Sequence, residues 1–110
     1  MQGRRNEKIS SLLMKMAADF TQRVSNGNSI ITITGVDISD DKERTTILFT
    51  TLPDSEELRA LEFLKRQRSD FREYVKKFWK MRVLPFFDFE IDKGEKNRQR
   101  IDELLNQTKV

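Results

Sequence analysis

The chain has 110 residues, of which 36% are hydrophobic and 35% are charged, with a formal net charge of +3 and neither cysteine nor histidine. This length gives room for one domain with one lean core under a heavily charged surface. The missing residue types exclude disulfides, cysteine nucleophiles, Cys/His zinc sites and a histidine general base. Because no apolar run approaches the length of a membrane span and the charged start is unlike a secretory signal, we expect a cytoplasmic protein.

The charge is distributed unevenly along the chain. Residues 61–82 carry eight lysines and arginines against three acids, whereas residues 30–60 carry three against seven. The positive charge is therefore concentrated in the central segment and, to a lesser degree, in residues 1–29. This polarity indicates a surface for an anionic partner.

The first predicted element is a helix from Asn6 to about Val24. Its apolar residues recur at helical spacing and share one face: Ile9, Leu12, Leu13, Met16, Phe20 and Val24. A basic amphipathic helix can bind a membrane or a partner. Since strands follow to receive it, we expect this helix to cover the core of its own domain.

An antiparallel hairpin is predicted next, with strands from Ser29 to Ile38 and from Thr45 to Leu52. The alternation of the first strand slips by one residue at Thr34-Gly35, which predicts a β-bulge. The connection contains three acids that we interpret as turn residues rather than metal ligands: Asp40, Asp41 and Glu43.

Two helical pieces follow, from Leu58 to Gln67 and from Asp70 to Arg82, with a break expected at Ser69-Asp70. Asp54 is predicted as the N-cap of the first piece, with Glu57 as its capping-box partner. One apolar stripe runs along both pieces and is predicted to be buried: Leu61, Leu64, Phe71, Tyr74, Val75, Phe78 and Met81.

A third strand, from Leu84 to Ile91, follows the second helical piece, because Pro85 prevents the helix from continuing. The predicted order is α-β-β-α-(kink)-α-β, and a helical crossover requires one parallel pair of strands. We therefore predict a two-layer α+β domain over residues 1–92, with a three-stranded mixed sheet and helices on one face. Residues 93–110 are predicted to form a tail with a short helix that packs on or near this domain.

Three stretches carry a family resemblance: ITITGVDIS at residues 31–39, MRVLP at 81–85 leading to Phe89 and Asp92, and RIDELL at 100–105. Together with an element order typical of the type II K-homology fold, they resemble the ribosome-binding factor A family of bacterial small-subunit assembly factors. The resemblance implies a non-catalytic domain that binds immature small ribosomal subunits and assists maturation of their RNA. It also implies a helix interruption at Arg68-Ser69-Asp70.

The cations of the central helices are candidates for contacts with RNA phosphates. By periodicity, those at 65, 68, 72, 76 and 80 fall on one face, those at 77 and 82 lie beside it, and the basic start extends it. The predicted RNA-binding residues are Arg4, Arg5, Lys8, Lys65, Arg68, Arg72, Lys76, Lys77, Lys80 and Arg82. Trp79 is a candidate for stacking on a base or for the edge of the core, and Phe86 is a candidate partner contact.

We therefore expect the partners to be a small-subunit precursor and its ribosomal RNA. We expect no cofactor, no metal, no small-molecule substrate and no membrane, and a monomeric protein without enzymatic activity. The alternative is a protein–protein interaction module of the same fold with incidental RNA affinity. A small α+β enzyme is a further alternative, but no catalytic motif indicates one.

Overall fold

The computed structural model describes residues 3–25, 27, 29–78, 84–95, 101 and 104–105, with side chains from residue 8 onward. Its elements, in chain order, are α1 (Gly3–Val24), β1 (Ile30–Ile38), β2 (Arg44–Leu52), a 3-10 turn (Asp54–Glu56), α2 (Glu57–Arg66), α3 (Arg68–Lys76) and β3 (Phe86–Ile91). The predicted element order and the two-layer α+β class are confirmed.

The strands form one mixed sheet with β2 in the middle. β1 pairs antiparallel with β2, so that Ile30 lies opposite Leu52. β3 runs parallel to β2, and buried Phe89 lies opposite buried Ile47. The predicted crossover is confirmed, because α2 and α3 carry the chain from the end of β2 back to the start of a parallel neighbour.

A β-bulge interrupts β1 at the predicted place. Ile33 and Gly35 pair with successive residues of β2, Phe49 and Leu48, which leaves Thr34 as the extra residue. The bulge resets the alternation of the strand, so apolar side chains before and after it pack against the same core. These side chains are Ile31, Ile33 and Val36.

We expect Thr34→Val to destabilise the domain, because it removes the hydrogen bond that Thr34 Oγ1 donates to Asp92 Oδ2 over 2.5 Å. Asp92 is partly buried, and the loss of one hydrogen-bond donor to such a carboxylate lowers the free energy of unfolding by about 1 to 2 kcal/mol. Urea denaturation at neutral pH measures the change. Thr32→Val is the matched control, since Thr32 is exposed on the same strand. Equal midpoints for the two variants would contradict the prediction.

The core lies between one face of the sheet and the helices. Its buried apolar residues are Leu13, Met16, Ala17, Phe20, Ile47, Phe49, Ala60, Leu64, Phe71, Val75, Phe87 and Phe89. The ring centroid of Phe71 lies 5.2 Å from that of Phe20, 5.1 Å from that of Phe87 and 5.5 Å from that of Phe89. Phe71 therefore joins α1, α3 and β3 in one aromatic cluster.

Two residues predicted to face the core are exposed instead. Leu12 is 46% exposed. The buried face of α1 is narrow: Ala17 and Phe20 lie on it, whereas Leu12 lies at its edge. Phe78 is 56% exposed: it lies two residues beyond the end of α3, and its ring packs edge-on against that of Tyr74, with centroids 5.5 Å apart, instead of in the core. Met81, from the same predicted stripe, lies outside the described residues.

The predicted capping box at the start of α2 is wrong. Asp54 begins the 3-10 turn, α2 starts at Glu57, and no side-chain cap hydrogen bond is found at either start. The first turn is closed by the backbone instead, because the Glu56 N–H donates to the carbonyl of Pro53 over 3.1 Å. This 3-10 turn gives an N–H group at the helix start a backbone acceptor, so that group needs no acceptor from a side chain.

The helix break falls at Gln67, so the prediction that Ser69-Asp70 caps the second piece is wrong. The Gln67 N–H donates to the Leu64 carbonyl over 2.9 Å, which tightens the last turn of α2. Nε of Arg68 donates to the carbonyl of Lys65 over 3.0 Å. A side chain that binds a free carbonyl at a helix end stabilises the stop at this position.

Two predicted segments fall partly outside the described residues. The second helical piece was predicted to reach Arg82; α3 ends at Lys76, and residues 79–83 are outside the described part. In the predicted tail helix, Ile101, Leu104 and Leu105 are helical and exposed by 56%, 56% and 58%. These three side chains are therefore not part of the buried core.

Candidate nucleic-acid interface

Two of the predicted phosphate-binding cations are paired with carboxylates of β3. Nζ of Lys65 lies 3.1 Å from Oδ1 of Asp88 and 3.2 Å from Oε1 of Glu90. Nη1 of Arg68 lies 3.4 Å from the same Asp88 oxygen. The pairs fasten α2 and α3 to the edge strand. They also offset part of the positive charge of Lys65 and Arg68, which weakens both residues as phosphate ligands.

The same contacts shift the pKa values of the partners. Partial burial disfavours the charged form of Asp88, but hydrogen bonds from Lys65 and the Phe89 N–H outweigh it, with help from the nearby positive charges, so the pKa of Asp88 is lowered. Desolvation likewise opposes the charge of Lys65, but its hydrogen bonds to Asp88 and Glu90 raise the pKa of Lys65 above its usual value. The pair is therefore ionised throughout the neutral range.

We expect Asp88→Asn to destabilise the domain by about 0.5 to 1 kcal/mol at neutral pH, a modest value because the pair is partly exposed. Since the folded-state pKa of Asp88 is lowered, its stabilisation is complete above the unfolded pKa of about 3.9 and is lost as the pH falls through the folded-state pKa. Urea denaturation should show the difference between wild type and variant shrinking on acidification. Asp37→Asn, at an exposed carboxylate of β1, is the control. A difference that does not shrink as the pH falls below the unfolded pKa of about 3.9 would contradict the assignment.

Arg72 binds the segment that leads into β3. Its Nη1 donates to the carbonyl of Pro85 over 2.8 Å and to that of Leu84 over 3.4 Å. These two carbonyls are the hydrogen-bond partners of Arg72 among the described residues, and Arg72 is exposed. Because a guanidinium carries several donors in a planar fork, Arg72 can hold this segment and still present donors to an external phosphate.

Lys76 and Lys77 are exposed at the end of α3. Lys76 lies one helical turn beyond Arg72 and on the same side of the helix. Within the part of the chain that the structure describes, no carboxylate forms an ion pair with either lysine. We call Arg72, Lys76 and Lys77 the basic strip.

The remaining predicted cations are not brought to this strip by the described structure. Lys8 is exposed on α1, which packs mainly on β1, whereas the basic strip lies toward β3 at the opposite edge of the sheet. The side chains of the other predicted residues lie outside the described part: Arg4, Arg5, Lys80, Arg82 and the aromatic Trp79.

Sequence reasoning missed Arg44, the first residue of β2. The parallel register places Arg44 opposite Phe86, and its Cζ lies 5.6 Å from the centroid of that ring. Cζ of Arg68 lies 5.7 Å from the same centroid. The available signal was a cation just before the second predicted strand and a phenylalanine near the start of the third, but the register that places them opposite each other is a tertiary property.

The acidic segment between β1 and β2 is a turn, as predicted. Oδ1 of Asp41 accepts hydrogen bonds from Ser39 Oγ over 2.6 Å and from the Glu43 N–H over 3.0 Å, and these bonds lower the pKa of Asp41. Lys42 adopts φ 62°, in the left-handed region that some tight turns use. The described residues contain no group of three side chains able to hold a metal ion. None of their helices combines the length and hydropathy needed to cross a bilayer.

The fold and the site define a class of protein: a small two-layer α+β domain in which a basic helix pair borders the parallel edge strand of a mixed sheet. The family model for ribosome-binding factor A matches residues 3–105. The chain therefore belongs to the ribosome-binding factor A family, and the resemblance found in the sequence is confirmed.

Individual relatives agree with this assignment. Ribosome-binding factor A of Trichlorobacter lovleyi is 30% identical over 110 residues, covering 97% of this chain and 89% of the relative. The crystal structure of ribosome-binding factor A from Thermus thermophilus is similar with a TM-score of 0.67 at 20% identity, covering 77% of this chain and 93% of that chain. A homology model of the Thermus thermophilus factor, fitted into a cryo-EM map of its complex with the 30S subunit, gives a TM-score of 0.61 at 20% identity, covering 76% and 91%.

Proposed function

We propose that this protein binds the immature small ribosomal subunit through its ribosomal RNA and assists maturation of that RNA without catalysis. Family membership supports a ribosome-binding factor. A structural neighbour of the same family has been placed in a complex with the 30S subunit.

The basic strip is the observation that carries the proposal. Arg72 and Lys76 are exposed along one side of α3, Lys77 is exposed beside them at its C-cap, and no described carboxylate forms an ion pair with them. Long cationic side chains on a rigid helix are suited to backbone phosphates, because each neutralised phosphate releases condensed counterions. Lys65 and Arg68 contribute in a different way, since their ion pairs with Asp88 hold the helix pair that presents the strip.

The mechanism is positioning and conformational bias. A rigid domain that binds one arrangement of an RNA more tightly than another shifts the RNA toward that arrangement. The element order is that of a type II K-homology domain, but none of the four glycines forms the Gly-x-x-Gly loop with which such domains clamp nucleotides. Binding therefore depends on phosphate contacts and on RNA shape. The protein acts as a cytoplasmic monomer and requires no cofactor or small-molecule substrate.

Co-sedimentation tests the proposal directly. The protein is mixed with immature small subunits, mature small subunits and large subunits, and each mixture is separated on sucrose gradients over a range of salt concentrations. We expect selective binding to immature small subunits. A plot of the logarithm of affinity against the logarithm of salt concentration should have a slope of about −0.7 for each phosphate of single-stranded RNA that the protein contacts. Absence of binding would refute the proposal. Binding that is insensitive to salt would favour the alternative of an apolar protein–protein interface.

A further inference from the structure

Phe86 is an exposed aromatic residue on a firmly held backbone. Its ring belongs to the sheet face opposite the core, since the adjacent Phe87 is buried and side chains alternate along a strand. Phe86 is 49% exposed. Its N–H donates to the carbonyl of Glu43 over 2.8 Å, and the preceding Pro85 carbonyl accepts the bond from Arg72. The ring is therefore presented to solvent from a fixed position.

Two guanidinium groups from different elements lie over this ring. Arg44 reaches it from β2 with Cζ at 5.6 Å, and Arg68 reaches it from α3 with Cζ at 5.7 Å. Arg68 is itself held by Asp88 and by the Lys65 carbonyl. Both distances lie within the range of cation–π attraction. The result is an exposed aromatic ring with two guanidinium groups over it, which we call the Phe86 platform; both the ring and a guanidinium plane are surfaces on which a base can stack.

We propose that the Phe86 platform binds one unpaired RNA base by stacking, with Arg44 placed to contact an adjacent phosphate. The inference rests on the proposed function and extends it, because it adds a single-stranded RNA element to the partner. Aromatic rings and arginine planes are the surfaces on which unpaired bases stack, whereas bases within a duplex are already stacked and paired.

Charge decides between a nucleotide and an apolar side chain as the occupant. Arg44 has no ion-pair partner among the described residues, so an apolar group placed on Phe86 would remove water from Arg44 without supplying a counter-charge, which is unfavourable. A nucleotide supplies both a π face and phosphates. The platform is also continuous with the basic strip, because Arg72 binds the carbonyl of the residue just before Phe86. One RNA strand can therefore contact both surfaces.

The test measures fluorescence anisotropy of a dye-labelled, unstructured oligoadenylate and of a fully paired RNA hairpin, with the full chain and with Phe86→Leu. Leucine keeps the apolar bulk and removes the π face. Since stacking contributes about 1 to 3 kcal/mol per base, we expect Phe86→Leu to weaken oligoadenylate binding by roughly 5- to 150-fold. The hairpin affinity and the salt dependence should not change, because no cation is removed.

Two further variants complete the experiment. Phe86→Tyr keeps a ring and should retain the wild-type affinity for oligoadenylate. Phe78→Leu changes a similarly exposed phenylalanine, 56% exposed after the end of α3, and should have no effect. The inference is overturned if Phe86→Leu binds oligoadenylate like the wild type, if Phe86→Tyr loses binding as Phe86→Leu does, or if the wild type shows no binding to oligoadenylate. None of these outcomes touches the proposed function, which fails separately if the wild type does not bind immature small subunits.

Discussion

Lys76→Glu combined with Lys77→Glu is expected to weaken binding to immature small subunits by about a hundredfold or more, while the fold is unchanged. Both lysines are exposed, and neither has an ion-pair partner among the described residues. Two lost charged contacts of about 1.5 kcal/mol each give this factor, and like-charge repulsion from the new glutamates adds to it. The salt dependence of binding should also become shallower, because fewer counterions are released.

The control for this double variant is Lys15→Glu combined with Lys42→Glu. Both of these lysines are exposed, on α1 and in the β1–β2 turn, and the two double variants have the same net charge. Co-sedimentation at several salt concentrations separates a local effect from a global charge effect. Equal losses in the two double variants would show that net charge alone drives binding, and unchanged binding of the Lys76/Lys77 variant would remove the basic strip from the interface.

Phe71→Ala is expected to lower the free energy of unfolding by about 3 to 5 kcal/mol, a large share of the stability of a domain of this size. Phe71 is fully buried, and its ring contacts those of Phe20, Phe87 and Phe89. Truncation leaves a cavity where α1, α3 and β3 meet. It also removes edge-to-face contacts that contribute beyond buried area.

Urea denaturation followed by circular dichroism measures this loss. Phe78→Ala serves as the control, because Phe78 is 56% exposed just beyond the same helix and leaves no cavity in the core. A loss below about 1 kcal/mol for Phe71→Ala would mean that the site collapses around the smaller side chain. In that case the aromatic cluster would not be the central support of the fold.

The elements that local patterns determine could be predicted from the sequence. The β-bulge is one example: the alternation changes phase between Ile33 and Val36, and a glycine follows the extra residue, so the pattern itself contains the irregularity. The crossover is another, because two predicted helices between the second and third strands supply the long connection that parallel strands need. Both features follow from the local pattern and the order of the elements.

The exact helix break could not be predicted in the same way. Ser69-Asp70 has the composition of an N-cap, but the break occurs at Gln67, where Arg68 binds the Lys65 carbonyl and pairs with Asp88. The acceptor on β3 becomes available only in the folded domain. A tertiary contact therefore outweighed a local preference, as often happens at helix ends.

The site was predictable as a set of cations but not as an arrangement. Periodicity places Arg68, Arg72 and Lys76 on one side of a helix, which the structure agrees with. It does not reveal that Asp88 pairs with two of the predicted cations or that Arg44 lies opposite Phe86. Both facts depend on the register between β2 and β3.

The parallel pairing of β3 with β2 has a consequence for synthesis of the protein. The β1–β2 hairpin can form early, because a short turn joins its strands, but the second edge of β2 has no partner until residues 86–91 have left the ribosomal exit tunnel. Arg72 is anchored by the segment that leads into this last strand. The surface that we propose to bind RNA is therefore complete only after residues 86–91 have joined the sheet.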